Sequence, residues 1–379
     1  MSAAAFNQLY SSPPHGEASA PGRVNLIGEF TDYNEGWVLP CALPLQTRVW
    51  WRRRDDRTLQ VASLNYPGQR DSFNTEAQYV QNGRSWARYV RAVVATLTDA
   101  GHACHGVDLL IASDVPQGRG LSSSAALEVA LVGALADAHS WDLDHPAIAS
   151  IGQQAENRYV GTQCGIMDQL VSAAAEDGSA LLLDCRSLAT LSVPLPKQWA
   201  LVILDSNHPR ELVNSAYNDR RNDCEAACQA LGVSSLRDAS LAHLAACREA
   251  LTDNQYARAH HVIQENTRVM DLVHALRAVD LRRTARIMAA GHHSLARDFE
   301  VTVEATDTLV KLAKQALGER VAARQTGGGF GGAVVCLCEH GDVEHLLATV
   351  AKDYQQLTGL TATPFTCVPG GGLRRTRFD

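Results

Sequence analysis

The chain has no excess of positive charge, no long apolar run and no paired metal-binding cysteines. Its 379 residues carry 34 Lys and Arg against 41 Asp and Glu, a net charge of -7. Binding a nucleic-acid backbone needs basic patches, so no nucleic-acid partner is expected. No uninterrupted apolar stretch reaches the roughly 18 residues of a membrane helix, so no membrane partner is expected either. The first residues, Met1-Ser-Ala-Ala-Ala-Phe-Asn-Gln8, lack a basic segment and a long apolar core, unlike a secretory leader. The ten cysteines include no C-x-x-C pair. Cys336 and Cys338 stand two apart in an apolar run, a spacing that turns both thiols to one strand face as core packing. His292-His293 is adjacent rather than four apart, which is not a zinc pattern. Scattered, reduced thiols fit a cytoplasmic setting. There is no internal repeat and no low-complexity linker.

What remains is ordinary globular composition, with 46% hydrophobic and 20% charged residues. The length is generous for one core, so two domains are expected, divided as 1–190 and 191–379. Strand-like runs stand at Val38–Leu43 and Thr47–Trp51, with a charged turn at Arg52–Arg57. Apolar spacing at Trp86, Val90, Val93, Val94 and Leu97 predicts a helix to about Ala100. A strand at Val107–Ile111, helices at Ser123–Ala138 and 146–160, and strands at Ala180–Asp184 and Ala200–Leu204 follow. Residues 210–320 read as mostly helical. A strand at 333–337, a helix over 342–356 and a last strand near 361–367 close the chain.

The most informative segment is Pro116-Gln-Gly-Arg-Gly-Leu-Ser-Ser-Ser-Ala-Ala-Leu-Glu128. Glycines such as Gly118 and Gly120 let backbone amides approach an anion. The first amides of a helix lack internal partners and favour phosphate. Hydroxyls of Ser122, Ser123 and Ser124 can cap the helix, donate to phosphate or ligate Mg²⁺. This is neither G-x-x-x-x-G-K-[ST] nor G-x-G-x-x-G.

Two more segments stand beside it: Pro21-Gly-Arg-Val-Asn-Leu-Ile-Gly-Glu-Phe-Thr-Asp-Tyr-Asn-Glu-Gly36, and Arg324-Gln-Thr-Gly-Gly-Gly-Phe-Gly-Gly332. Together the three resemble the motifs of the GHMP kinases. The first resembles the signature of the galactokinase family within them, as do Cys164-Gly-Ile-Met-Asp-Gln169 and Leu182-Leu-Asp-Cys-Arg-Ser187. The resemblance spans residues 18 to about 368. It implies an α+β fold of two lobes, an N-terminal mixed-sheet lobe and a C-terminal ferredoxin-like lobe, with the active site in the cleft between them. It also implies an enzyme that phosphorylates the anomeric hydroxyl of galactose, with ATP and Mg²⁺ as cofactors and small molecules as its partners; a monomer or weak oligomer is expected.

By that resemblance, Asp168 is the base for the sugar hydroxyl, and Arg23 stabilises charge at the same place. Glu29, Phe30, Asp32, Gly165 and Tyr217 match the sugar-binding positions. Trp86 matches an aromatic near the adenine. Gly118, Gly120, Leu121, Ser122, Ser123, Ser124 and Ala125 match the ATP-binding loop. Ser124, or its neighbour Ser123, and Glu156 match Mg²⁺ ligands. Gly327, Gly328 and Gly329 form a supporting loop whose ordering entropy argues for a functional reason.

Three positions depart from the family pattern. Phe30 stands where a histidine is usual, which puts the sugar range in doubt. The alternative is a sugar 1-kinase with altered scope, taking N-acetylgalactosamine or deoxy sugars. Arg119 stands where Gly or Ala is usual and is expected to face solvent. Ala216 replaces a glutamate in Ser215-Ala-Tyr-Asn-Asp-Arg-Arg221. A non-catalytic sugar- and ATP-binding regulator is the remaining alternative, opposed by the presence of Ser124-Ala125, Asp168 and Arg23.

Overall fold

The structure, a computed structural model, describes residues 2–79, 85–209 and 213–378. In chain order its elements are α1 (Ser2–Tyr10), β1 (Gly16–Asn25), β2 (Trp37–Val38), β3 (Pro40–Arg53), β4 (Thr58–Ser63), β5 (Arg70–Asn74), α2 (Ser85–Asp99), β6 (Val107–Ser113), α3 (Ser123–His139), α4 (His145–Ala155), α5 (Met167–Ala174), β7 (Ser179–Asp184), β8 (Thr190–Pro194), β9 (Trp199–Asp205), α6 (Val213–Leu231), α7 (Leu241–Ala246), α8 (Asp253–Arg277), α9 (Leu281–Arg297), α10 (Glu304–Leu317), β10 (Val321–Thr326), β11 (Ala333–Glu339), α11 (Val343–Thr358), β12 (Thr363–Cys367) and β13 (Arg374–Arg377). No described helix is long and apolar enough to cross a membrane.

Three sheets result. The first is mixed, ordered β13-β1-β3-β6-β4-β5, with β4 parallel to β6 and the other pairs antiparallel. The second is antiparallel, ordered β10-β11-β9-β12. Numbered within its own lobe as 1 to 4, that sheet runs 2-3-1-4, the order of a ferredoxin-like β-α-β-β-α-β unit. A small sheet, β2-β7-β8, is the third, with β7 against β3 and with β2 and β8 against α8.

The apolar core explains why the halves stay together. Helix α3 is alanine-rich and buried almost throughout, so it packs under the first sheet with α2, α4 and α5. A second cluster joins Val24, Leu26, Ile27 and Leu39 of the first half to Leu201, Ile203, Val269, Leu272 and Val335 of the second. A third holds Cys336 and Cys338 against α10 and α11, the core packing expected of them. Local signals set the helix starts. Asp144 accepts from Ala147 N ahead of α4, Thr252 and Gln255 form a capping box on α8, and Asp280 caps α9.

Several expectations need correction. The strands expected at 38–43 and 47–51 run, from Pro40 onward, as one strand, β3, while Val38 belongs to β2; Pro44 is tolerated because the β1–β3 register shifts opposite it, between Pro21 and Arg23. Arg52 and Arg53 belong to that strand rather than to a turn. Arg52 and Arg54 both pair with buried Asp108, at 2.7 and 2.9 Å. The helix expected to reach 160 ends at Ala155 and continues as a π turn over Glu156–Val160. The last strand, β13, pairs with β1 in the first sheet. A division at 190/191 therefore assigns this strand to the wrong sheet, because pairing follows space and not chain order.

Candidate active site

The bulge at Pro21–Arg23 brings β1 against the phosphate-type loop. Gly22 has no side chain, and a Cβ there would lie 2.5 Å from Leu121 O. Arg23 N donates to that same carbonyl at 3.0 Å. The Arg23 side chain then reaches three acceptors, with Nη1 on Gly120 O at 2.7 Å and Nε and Nη2 on the two Asp168 oxygens, each at 2.7 Å. Asp168 lies in the first turn of α5, and its Oδ2 also accepts from Ser122 Oγ at 2.6 Å. Ser122 has a φ of 58° and makes no side-chain cap to α3. Its hydroxyl serves Asp168 instead. Three expected residues, Arg23, Ser122 and Asp168, distant in sequence, thus form one hydrogen-bonded unit at the start of α3.

This unit faces a cavity of about 330 Å³ between the lobes. Arg23, Glu29, Phe30, Asp32, Gly118, Gly120, Ser122, Ser123, Ser124, Glu156, Asp168, Tyr217, Gly327 and Gly328 all line it. A second cavity of about 310 Å³ adjoins it and is lined by Trp86, Tyr66, Asn65 and Gln117. The two share Arg88, Tyr89, Gly118, Ser123 and Ser124. Trp86 lies parallel to Tyr66, with ring centroids 6.2 Å apart, and donates to Gln69 Oε1 at 2.9 Å.

The glycine loop has a steric reason. A Cβ at Gly327 would lie 2.8 Å from Gly120 O, and one at Gly332 would lie 3.2 Å from Arg119 O. The loop presses its backbone on that of Arg119 and Gly120, an approach only glycine allows. Gly329 instead abuts Val301, and Gly327 and Gly328 face the cavity. Arg119 does not point freely into solvent as expected; its Nε lies 3.4 Å from Asp205 Oδ2 at the end of β9.

Three other expected residues sit outside the main cavity. Leu121 and Ala125 are about 1% exposed, with their side chains in the core. Gly165 lies against the Asp32 carboxylate, where a Cβ would collide. Its role is to make room for Asp32.

Carboxylates crowd this site, and burial shifts several of them. Glu29 is pushed up to about 7, chiefly by burial, with Arg324 opposing. Asp32 rises from 3.8 to about 6 through burial and the Asp168 charge. Glu128, which sequence reasoning missed, is fully buried, and burial together with the charge of Glu156 pushes it well up. Glu128 Oε2 accepts from Gln169 Nε2 at 2.9 Å. Glu128 Oε1 and Glu156 Oε2 are buried without a hydrogen-bond partner. Only the segment Leu127-Glu128 on an otherwise apolar helix could have signalled that carboxylate.

Asp32 yields a pH prediction. A carboxyl whose folded value lies above its unfolded value costs stability as pH rises through that interval. The full cost stands above the folded value of about 6 and vanishes below the unfolded value of 3.8. That shift is worth up to about 3 kcal/mol. Asp32→Asn is therefore expected to raise Tm at pH 8, with the gain shrinking towards pH 5. An equal change in Tm at both pH values would remove the electrostatic explanation.

Phe30 lines the cavity with a φ of 66°, a left-handed conformation that bulky residues rarely take. Its ring stacks on Phe299 at 4.4 Å and lies 5.8 Å from Tyr217. Its carbonyl accepts from Asn34 Nδ2 at 2.9 Å. The contacts hold an apolar wall beside Asp32 and Glu29.

Family models match three parts of the chain: the galactokinase galactose-binding signature over residues 4–53, the GHMP kinases N terminal domain over 88–176, and the GHMP kinases C terminal over 272–356. The Lactococcus lactis galactokinase, solved with galactose, is 31% identical. The match covers 99% of this chain and 98% of that one, with a TM-score of 0.92. The Methanococcus jannaschii mevalonate kinase shares the fold at 14% identity, with coverage of 94% and 98% and a TM-score of 0.63. A D-glycero-D-manno-heptose 1-phosphate kinase from Bacteriodes thetaiotaomicron does so at 16% identity, with coverage of 96% and 99% and a TM-score of 0.63.

Proposed function

We propose that this chain, which belongs to the galactokinase family of the GHMP kinases, transfers the γ-phosphoryl group of ATP to the anomeric hydroxyl of D-galactose, giving α-D-galactose 1-phosphate and ADP. The observation that carries the mechanism is Asp168, gripped on both oxygens by Arg23 and on one by Ser122 at the mouth of the phosphate-type loop. Asp168 takes the hydroxyl proton as the sugar oxygen bonds to phosphorus and ADP leaves. Arg23 orients the carboxylate and stabilises negative charge on the attacking oxygen. Glu29 and Asp32 accept from sugar hydroxyls, and Tyr217 closes the wall beside them.

The second cavity takes the adenine against Trp86, and the loop at 118–124 takes the phosphates on its glycine backbone and α3 amides. Mg²⁺ fits the donor set, because Ser123, Ser124 and Glu156 line the cavity with hard oxygens and Glu156 Oε2 is buried without a partner. Bound there, the ion would offset phosphate charge in a site rich in carboxylates. Ser124 and Glu156 are the residues we assign to it. The glycine loop supports the phosphate loop from behind. A cytoplasmic, monomeric or weakly associating enzyme fits this reading.

A second reading is favoured by Phe30. A site that hydrogen-bonds a hydroxyl discriminates strongly, whereas an apolar wall does so weakly. The sugar range is therefore broader than for a histidine-bearing relative, chiefly near C6. A coupled ADP-release assay across galactose, N-acetylgalactosamine and deoxy sugars tests both readings. Phe30→His is expected to raise the ratio of kcat/KM for galactose over 6-deoxygalactose about tenfold, from one hydrogen bond of about 1–3 kcal/mol. A ratio that stays put would leave Phe30 as a packing residue of the Phe299 stack.

A further inference from the structure

We propose that Arg88 is the side chain that binds the nucleotide's phosphate groups, at the wall shared by the two cavities. Arg88 lies on α2 two residues after Trp86 and lines both cavities, together with Gly118, Ser123 and Ser124. It thus stands where the adenine cavity opens onto the start of α3. Its Nε is buried without a hydrogen-bond partner, and it forms no ion pair with a described residue. A buried guanidinium nitrogen left unpaired is costly. An arriving anion would satisfy it.

Charge accounting points the same way. A triphosphate needs cationic partners, yet the arginines near this site are already engaged. Arg23 is bound bidentately by Asp168, and Arg119 pairs with Asp205. The chain's four lysines, Lys197, Lys311, Lys314 and Lys352, line neither cavity. Among the described residues, Arg88 is the cation lining these cavities that no carboxylate occupies. Its planar fork suits two phosphate oxygens at once. The phosphate-type loop, which lacks the lysine of other phosphate loops, receives its side-chain cation from α2.

This assignment rests on the kinase reading above, and the test separates the two. Calorimetric titration of the full chain with ADP and Mg²⁺, with adenosine, and with galactose is compared for wild type, Arg88→Met and Arg88→Lys. Arg88→Met is expected to weaken ADP roughly 10- to 100-fold, the loss of a charged hydrogen-bond pair. Adenosine and galactose affinities are expected to stay unchanged, and Arg88→Lys to recover part of the ADP affinity. Equal losses for ADP and adenosine would overturn the assignment, since Arg88 would then support the base or the helix. So would an ADP affinity that does not change. A loss of galactose binding in both variants would show a structural role and overturn it too. A wild-type protein that binds no ADP would overturn the kinase reading itself.

Discussion

Asp168→Asn is expected to lower kcat by about 10²–10⁴-fold, the range that a positioned general base supplies. The substitution keeps the shape of the side chain. It removes the oxygen that can take a proton and presents an amide NH₂ to Arg23, which now donates to both carboxylate oxygens at 2.7 Å. Arg23 is only about 6% exposed in its side chain, so the variant is also expected to lose some stability. Turnover and folding must therefore be read separately. Galactose binding by calorimetry and Tm report the second, and single-turnover phosphoryl transfer reports the first. A variant that binds galactose and retains more than about a tenth of wild-type kcat would show that the proton leaves by another route.

Much of the candidate site was legible in sequence because its residues stand in short local segments. Glycines and serines ahead of an apolar helix imply exposed amides whatever the rest of the fold does. The Gly-Ile-Met-Asp-Gln segment and the arginine of the signature likewise carry their meaning in residue type. What escaped the sequence depends on partners far along the chain. Arg119 reads as solvent-facing until β9 brings Asp205 to it. Glu128 reads as a helix residue with no special role until the π turn at 156–160 sets Glu156 beside it. Arg88 reads as the polar face of an amphipathic helix, and its meaning comes only from two cavities meeting at its side chain. The three-glycine run was legible as functional but not as a steric necessity, because the contact is with the backbone of Gly120. The β13 strand was missed because four exposed residues, Arg-Arg-Thr-Arg, have no alternation of apolar and polar positions to detect.

The largest stability effect is expected at Arg324, which is fully buried between two carboxylates. Arg324 pairs with Glu29 of the sugar signature and, at 2.7 Å, with Glu265 of α8. Gly291 of α9 makes room for it, since a Cβ there would lie 2.8 Å from Arg324 Nη1. Glu265 has further support from Arg268 Nε at 2.5 Å and Gly28 N at 3.0 Å. Among the described residues, Glu29 forms an ion pair with Arg324 alone. Removing one partner of a buried ion pair leaves a stranded charge, which costs about 3–5 kcal/mol. Arg324→Met is expected to destabilise by that amount in denaturant unfolding. The pH dependence identifies the cause. Glu29 already sits near 7 with Arg324 present, above its unfolded value of 4.5, so its ionisation costs stability as pH rises through that window. Without Arg324 its folded value moves higher still. At pH 6 Glu29 in the variant is then protonated and the loss is partly relieved, whereas at pH 8 more of the charge must be carried. The deficit is therefore expected to grow between pH 6 and pH 8, and Glu29→Gln in the Arg324→Met background to recover much of it at the higher pH. Arg324 also stands three residues before Gly327, whose backbone lies on Gly120, so the same variant is expected to raise KM for ATP in the surviving folded fraction. A pH-independent deficit, or one that Glu29→Gln does not touch, would mean that Arg324 stabilises β10 by packing and not by holding the carboxylate of the sugar signature.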